Sequence, residues 1–206
     1  MLTPKTTAKT ILKMGRKAIA AGKTTLIKTD VRRWKKVSQE VPSWDERNRM
    51  IAAFIPENSN VLDLGAGARL LKDYLKPGCE YQPCDIVRSS PEVIFCDFNS
   101  GIYPALSRKY DYVVCSGVFE YVRDPARFIS EVKHYGRKII FSYNPFNPGY
   151  PRTERLACGW VNHLTEDQLE QLLLSHGLRW RVLHRKATTP AAEEIIYELS
   201  LNKGLD

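Results

Sequence analysis

Val61-Leu62-Asp63-Leu64-Gly65-Ala66-Gly67 reads as a buried strand that ends in an acid and runs directly into a tight glycine turn. Ala68-Arg69-Leu70-Leu71-Lys72-Asp73-Tyr74-Leu75 follows as a helix-forming run. Gly65 and Gly67 can take backbone angles closed to other residues, and without a Cβ they let a ligand lie against the main chain. A helix starting there would aim free N–H groups at the same place. Strand, turn and helix together make a site for a nucleotide-like ligand.

Outward from this stretch, further carboxylates recur at strand ends. Asp85 follows Glu80-Tyr81-Gln82-Pro83-Cys84, and Asp97 follows Glu92-Val93-Ile94-Phe95-Cys96. Asp111 opens Asp111-Tyr112-Val113-Val114-Cys115-Ser116-Gly117. These short runs, rich in β-branched or aromatic residues and bounded by polar, Pro or Gly residues, predict strands. In an open parallel sheet the ligand lies beyond the carboxyl ends of the strands, so Asp63, Asp85 and Asp97 should collect around one crevice. An acid about twenty residues after the glycines is placed to accept from ribose hydroxyls. The next acid suits an exocyclic adenine amino group. The nicotinamide dinucleotide fingerprint needs a third glycine at Leu70 and therefore fails.

The quoted segments, with Cys96-Asp97-Phe98 and Asp111–Glu120, resemble the successive motifs of class I S-adenosylmethionine-dependent methyltransferases over residues 43–206. The resemblance implies S-adenosyl-L-methionine as cofactor. It places Asp63, Gly65, Ala66 and Gly67 at its methionine end, Asp85 with Ile86 at the ribose, and Asp97 with Phe98 at the adenine edge. Ser116-Gly117-Val118-Phe119-Glu120-Tyr121-Val122 would close over the methyl-donor side. Two positions depart from the family pattern: Arg69 stands where many members carry a third glycine, and Tyr121 where many carry His.

The 206 residues fit one ordinary domain with an extension. No apolar run approaches the ~20 residues of a membrane span, and the N-terminus lacks the apolar stretch of a secretory signal. The five cysteines form no Cys-x-x-Cys pair, so they read as reduced core thiols in a cytoplasmic protein and imply no metal site. Charge is uneven. Residues 1–36 hold eleven Lys/Arg against Asp30, a net of +10, so the remainder carries −2 within the whole-chain +8. Residues 1–42 are therefore expected to form a basic helical extension and 43–206 the methyltransferase domain. On a helical wheel of residues 9–23, Lys9, Lys13, Arg16, Lys17 and Lys23 share one side and Ile11, Met14, Ala18 and Ala21 the other. Such an arm packs on the domain, meets an anionic membrane surface, which would make the protein peripheral, grips nucleic acid phosphates, or serves as a targeting presequence. Gly22-Lys23-Thr24 is no P-loop, because Lys17 occupies the place of the first glycine.

The remaining elements alternate. Ser43-Trp44-Asp45-Glu46 predicts a capped helix through about Phe54, and Asp124-Pro125 one to about His134. Lys138–Ser142 reads as a strand. Thr165-Glu166-Asp167-Gln168 caps a helix ending near Gly177, and Arg179–Leu183 and Glu194–Leu201 read as closing strands. The fold expected is an α/β, Rossmann-like, mostly parallel seven-stranded sheet with helices on both faces. Methyl transfer mainly requires holding a nucleophile in line with the methyl, and a hydroxyl acceptor also needs a base. His163 is the first candidate, with Glu120 and Tyr143 beside it, and each has a plain structural role as its alternative. Arg152 and Arg155, in the long aromatic loop Tyr143–Val161, suit an anionic acceptor. The acceptor classes compatible with this reading are a small molecule, a glycan or a lipid-linked molecule. RNA, or non-catalytic binding of the cofactor, are the alternatives.

Overall fold

The computed structural model describes residues 4–37, 42–189 and 192–202. The basic arm forms α1 (Pro4–Leu26) and α2 (Val31–Val37), and α3 (Pro42–Ala53) leads into the sheet. There follow β1 (Asn60–Leu64), β2 (Glu80–Asp85), β3 (Ile94–Phe95), β4 (Tyr110–Cys115), α4 (Pro125–Val132) and β5 (Gly136–Tyr143). The chain ends in α5 (Arg152–Ala157), α6 (Glu166–Ser175), β6 (Leu178–Thr189) and β7 (Ala192–Leu201). The seven strands lie in the order β3-β2-β1-β4-β5-β7-β6, with β7 alone antiparallel to its neighbours.

Alternation along each strand builds two cores. Leu62, Leu64, Val113, Cys115 and Phe141 point toward α4 and α6, where Phe128, Val132, Leu169 and Leu173 meet them. Val61, Tyr112, Val114 and Ile140 point the other way and pack on Ile51, Ala52 and Ile55. Strands buried on both faces are the signature of a parallel sheet sandwiched by helices. Cys84, Cys96 and Cys115 are buried, as a small apolar residue would be, and burial pushes the Cys84 thiol up to about 12.

Most expected elements form where the caps place them. Asp124 caps α4 by accepting from the Arg127 N–H, and the Thr165–Gln168 capping box is complete. Three expectations need correction. The run after the glycine turn makes only a 3-10 turn, Leu70–Tyr74, because Arg69 just before it is left-handed (φ 63°) and Pro77-Gly78 ends the segment soon after. This segment therefore aims no helix dipole at the site. Ser43 does not cap α3. The helix already begins at Pro42, whose fixed φ suits a first turn, and Asp45 accepts a hydrogen bond from the Tyr74 hydroxyl at 2.6 Å. The strand expected over Glu92–Cys96 shortens to Ile94–Phe95.

The first turn of the fold is packed as well as bent. A Cβ on Gly65, which sits at φ 77°, would lie 2.3 Å from Val118 Cγ2. Gly65→Ala is therefore expected to cost about 2–4 kcal/mol of stability, from overpacking and a left-handed alanine together, read from the urea midpoint.

Candidate functional site

The sheet opens a cleft of about 950 Å³, counted out to its mouth, beyond the carboxyl ends of β1, β2 and β4. The glycine turn forms its floor. Gly65 and Ala66 donate their N–H groups to the Cys84 carbonyl at 2.8 and 3.0 Å, which folds the turn back over β2. A Cβ on Gly67 would meet nothing within 4 Å, so the turn presents bare main chain. Arg69 takes the left-handed conformation that a glycine would take there. Its side chain reaches away to Glu92 and Ser90.

Asp85 holds the turn in place. One carboxylate oxygen accepts from the Gly67 N–H at 2.9 Å and the other from the Val87 N–H at 2.7 Å. Asp63 is 3% exposed and accepts from the Tyr81 hydroxyl at 2.7 Å. Neither acid has a cationic partner among the described residues. Burial pushes Asp63 up to about 7, with the neighbouring Asp85 adding to the rise, and burial also raises Asp85. The floor is thus a pair of desolvated carboxylates lacking a counter-charge.

Asp97 lines the same cleft with Ile86 and Phe98. It caps the short turn Phe98–Ser100, and its Oδ1 accepts from the Thr29 hydroxyl at 3.0 Å. Ser116 Oγ accepts from Arg47 Nε at 2.9 Å, and the Gly117 N–H donates to Ser142 Oγ at 2.8 Å. Arg47 also pairs with Glu194 at 2.7 Å and lies so close over Gly117 that a Cβ there would fall 2.4 Å from its guanidinium. All ten residues assigned to the cofactor from sequence therefore stand on or against one cleft.

The three catalytic candidates do not. His163, Glu120 and Tyr143 are absent from the cleft wall and brace the loops behind it. The Tyr143 hydroxyl lies 3.0 Å from Asn162 Oδ1 and 3.1 Å from the Leu164 carbonyl. Glu120 is 1% exposed. Its Oε1 accepts from the Asn144 N–H and side-chain amide at 2.9 and 2.8 Å, and its Oε2 has no partner. Burial raises its pKa. His163 accepts at Nδ1 from Arg155 Nε at 3.2 Å, and burial, Arg155 and Arg152 hold it below its ordinary value. Arg155 is fully buried, donates to the Asn162 carbonyl at 3.0 Å and stacks over Trp160. It is closed to an acceptor, whereas Arg152 is exposed over Phe146.

Sequence reasoning missed six residues of the cleft wall: Thr29, Trp34, Trp44, Arg47, Asn48 and Asn99. Trp34 packs edge-on against Tyr121 at 4.5 Å, and Trp160 Nε1 donates to the Tyr121 hydroxyl at 3.2 Å. Burial lifts that hydroxyl to about 12. No spacing marks these residues, because the sheet brings them together from distant segments. Thr29 and Trp34, from the basic extension, thus supply part of the wall.

A family described as a methyltransferase domain matches residues 33–182. No curated protein matches the chain. Solved structures share the fold at low identity. The N-terminal domain of EvdMO1 with SAH and D-fucose is 18% identical over 80% of this chain and 85% of that one, at a TM-score of 0.55. The plantazolicin methyltransferase BpumL with a monoazolic desmethylPZN analog and SAH is 11% identical over 91% and 95%, at 0.59. The 1,6-didemethyltoxoflavin-N1-methyltransferase of Burkholderia thailandensis is 16% identical over 82% of each chain, at 0.56. The chain belongs to the methyltransferase domain family, and S-adenosylmethionine is its methyl donor.

A raised folded-state pKa makes the Asp63 carboxylate a stability liability once ionised. Its contribution is fully present below the unfolded value of 3.8 and is lost as pH rises through about 7. The ligand-free protein should lose up to about 4 kcal/mol across that window. Asp63→Asn should flatten the loss, as read from urea midpoints between acid and neutral pH.

Proposed function

We propose that the chain methylates a small-molecule acceptor, with Asp63, Gly65, Ala66, Gly67, Asp85, Ile86, Asp97, Phe98, Ser116 and Gly117 holding S-adenosylmethionine. The observation that carries this reading is the buried, uncompensated pair Asp63 and Asp85 at the edge of a bare glycine turn. The cofactor supplies a methyl group on a positively charged sulfur and brings an ammonium group with it. Its charge complements what the cleft floor lacks. Asp63 would hold the ammonium end against the turn. Asp85, already tied to Gly67 and Val87, would accept from ribose hydroxyls. Asp97 and the backbone at Phe98 would meet the adenine edge.

The acceptor would bind beside Trp34, Trp44 and Tyr121, aromatic residues of the cleft wall that suit something flat or small. Among the described lining residues none is a histidine, and the Tyr121 hydroxyl is too weakly acidic to serve as a base at neutral pH. The rate enhancement then rests on positioning, which in favourable cases supplies ~7–11 kcal/mol. His163, Glu120 and Tyr143 act at one remove by bracing the turn after β4. The neighbours that carry D-fucose, a monoazolic desmethylPZN analog or 1,6-didemethyltoxoflavin support a small-molecule acceptor.

Calorimetry of S-adenosylmethionine binding tests the reading. Asp85→Ala should weaken it roughly ten- to a hundredfold, since hydrogen bonds to a charged group are worth ~1.5–3 kcal/mol. The demethylated product should accumulate only when a small-molecule acceptor is supplied. Binding unchanged in the variant would place the cofactor elsewhere, and binding without turnover on any acceptor would leave a non-catalytic protein.

A further inference from the structure

The part of α1 that meets the body is narrow. Lys17, Ala20, Ala21 and Thr24 are the half-buried or buried positions between residues 12 and 26, and they lie against α5, where Lys17 pairs with Glu154 at 2.6 Å. The face on which Met14, Ala18 and Ala21 were expected to pack is mostly left bare. At about 100° per residue, Met14, Thr25, Ala18, Gly22, Gly15, Leu26, Ile19 and Leu12 fall in that order across an arc of roughly 160°. No charged residue falls in this arc. The large side chains on it are open to solvent: Leu12 is 63% exposed, Met14 65%, Ile19 75% and Leu26 86%. A Cβ added to Gly15 or Gly22, in the middle of the arc, would meet nothing within 4 Å. Arg16 and Lys23 border it on the side toward α5, with the exposed Lys13 beyond them.

We infer that this face of α1 docks onto an anionic lipid surface. A bare apolar arc edged by lysine and arginine is what an interfacial helix needs, with its apolar side chains in the acyl boundary and its cations among the headgroups. Two other occupants fit less well. Nucleic acid phosphates would use the cations and leave Leu12, Ile19 and Leu26 in water. A second copy would bring two arms of net +10 together. No described helix is long and apolar enough to cross a membrane. The arm is also fastened to the catalytic body. Arg123 donates to the carbonyls of Thr24 at 2.6 Å and Ile27 at 2.7 Å, and Thr29 just beyond them lines the cleft. A docked α1 is therefore continuous with the cleft rim, and its lipid contact does not depend on which acceptor the cleft takes.

Sedimentation of the full chain with vesicles tests the inference. The chain should pellet with phosphatidylcholine vesicles containing phosphatidylglycerol and stay in solution with phosphatidylcholine alone. Leu12→Ser/Ile19→Ser/Leu26→Ser should weaken that binding roughly a hundredfold, and Lys13→Glu/Arg16→Glu about tenfold or more. Calorimetry with S-adenosylmethionine should be unchanged in the serine variant, which shows that it is folded and keeps this result separate from the fate of the cofactor reading. No binding to anionic vesicles at low salt would overturn the inference. Binding that survives the three serines would overturn it too, since charge alone would then be acting. Self-association abolished by the serines, without vesicle binding, would identify a second copy as the occupant and overturn it as well.

Discussion

Negative charge buried at the carboxyl ends of β1 and β2 is the constraint on which the cleft depends. Two carboxylates taken out of water repel their own ionisation unless something opposes it. Asp85 is partly compensated by two backbone N–H groups, and in return it fixes the glycine turn against β2. Asp63 has only a tyrosine hydroxyl. The ligand-free fold therefore holds an electrostatic deficit that a cationic, nucleoside-like ligand relieves. The packing around the turn follows from this. Gly65 yields its Cβ space to Val118, Gly117 yields its own to Arg47, and Arg47 ties α3 to Ser116 and Glu194.

The second level of organisation is the joining of the basic arm to this cleft. Thr29 donates to Asp97, Trp34 lies against Tyr121, and the Arg123 side chain gathers carbonyls at the end of α1. The arm is at once a wall of the site and the carrier of a bare amphipathic face. Behind the site, Arg155, His163, Asn162, Tyr143 and Glu120 form a network that sets the turn after β4 without lining the cleft.

What sequence revealed and what it hid divide along physical lines. Asp63, Gly65, Gly67, Asp85 and Asp97 were legible because topology alone places strand ends together. The caps at Asp124 and Thr165 were legible because short-range chemistry decides them. Arg47, Trp34 and Thr29 were hidden because their places depend on how α2 and α3 pack, which leaves no trace in spacing. His163 misled for a related reason. Its residue type suits proton transfer, but the buried Arg155 holds its Nδ1 as an acceptor and keeps it off the cleft wall. Arg69 looked like a fault in the glycine turn. It is tolerated because a left-handed residue with its side chain directed outward leaves the cradle open, at a cost of ~1 kcal/mol or somewhat more.

The central claim is that the cleft floor takes a cation onto Asp63, whose pKa burial raises to about 7. Calorimetry of S-adenosylmethionine binding at about pH 6, run in two buffers of different ionisation enthalpy, tests it most directly. The account predicts a net release of protons on binding, most of which disappears in Asp63→Asn. Binding with no proton release in the wild-type protein would contradict it, because the ligand would then not be drawing its affinity from the buried acids.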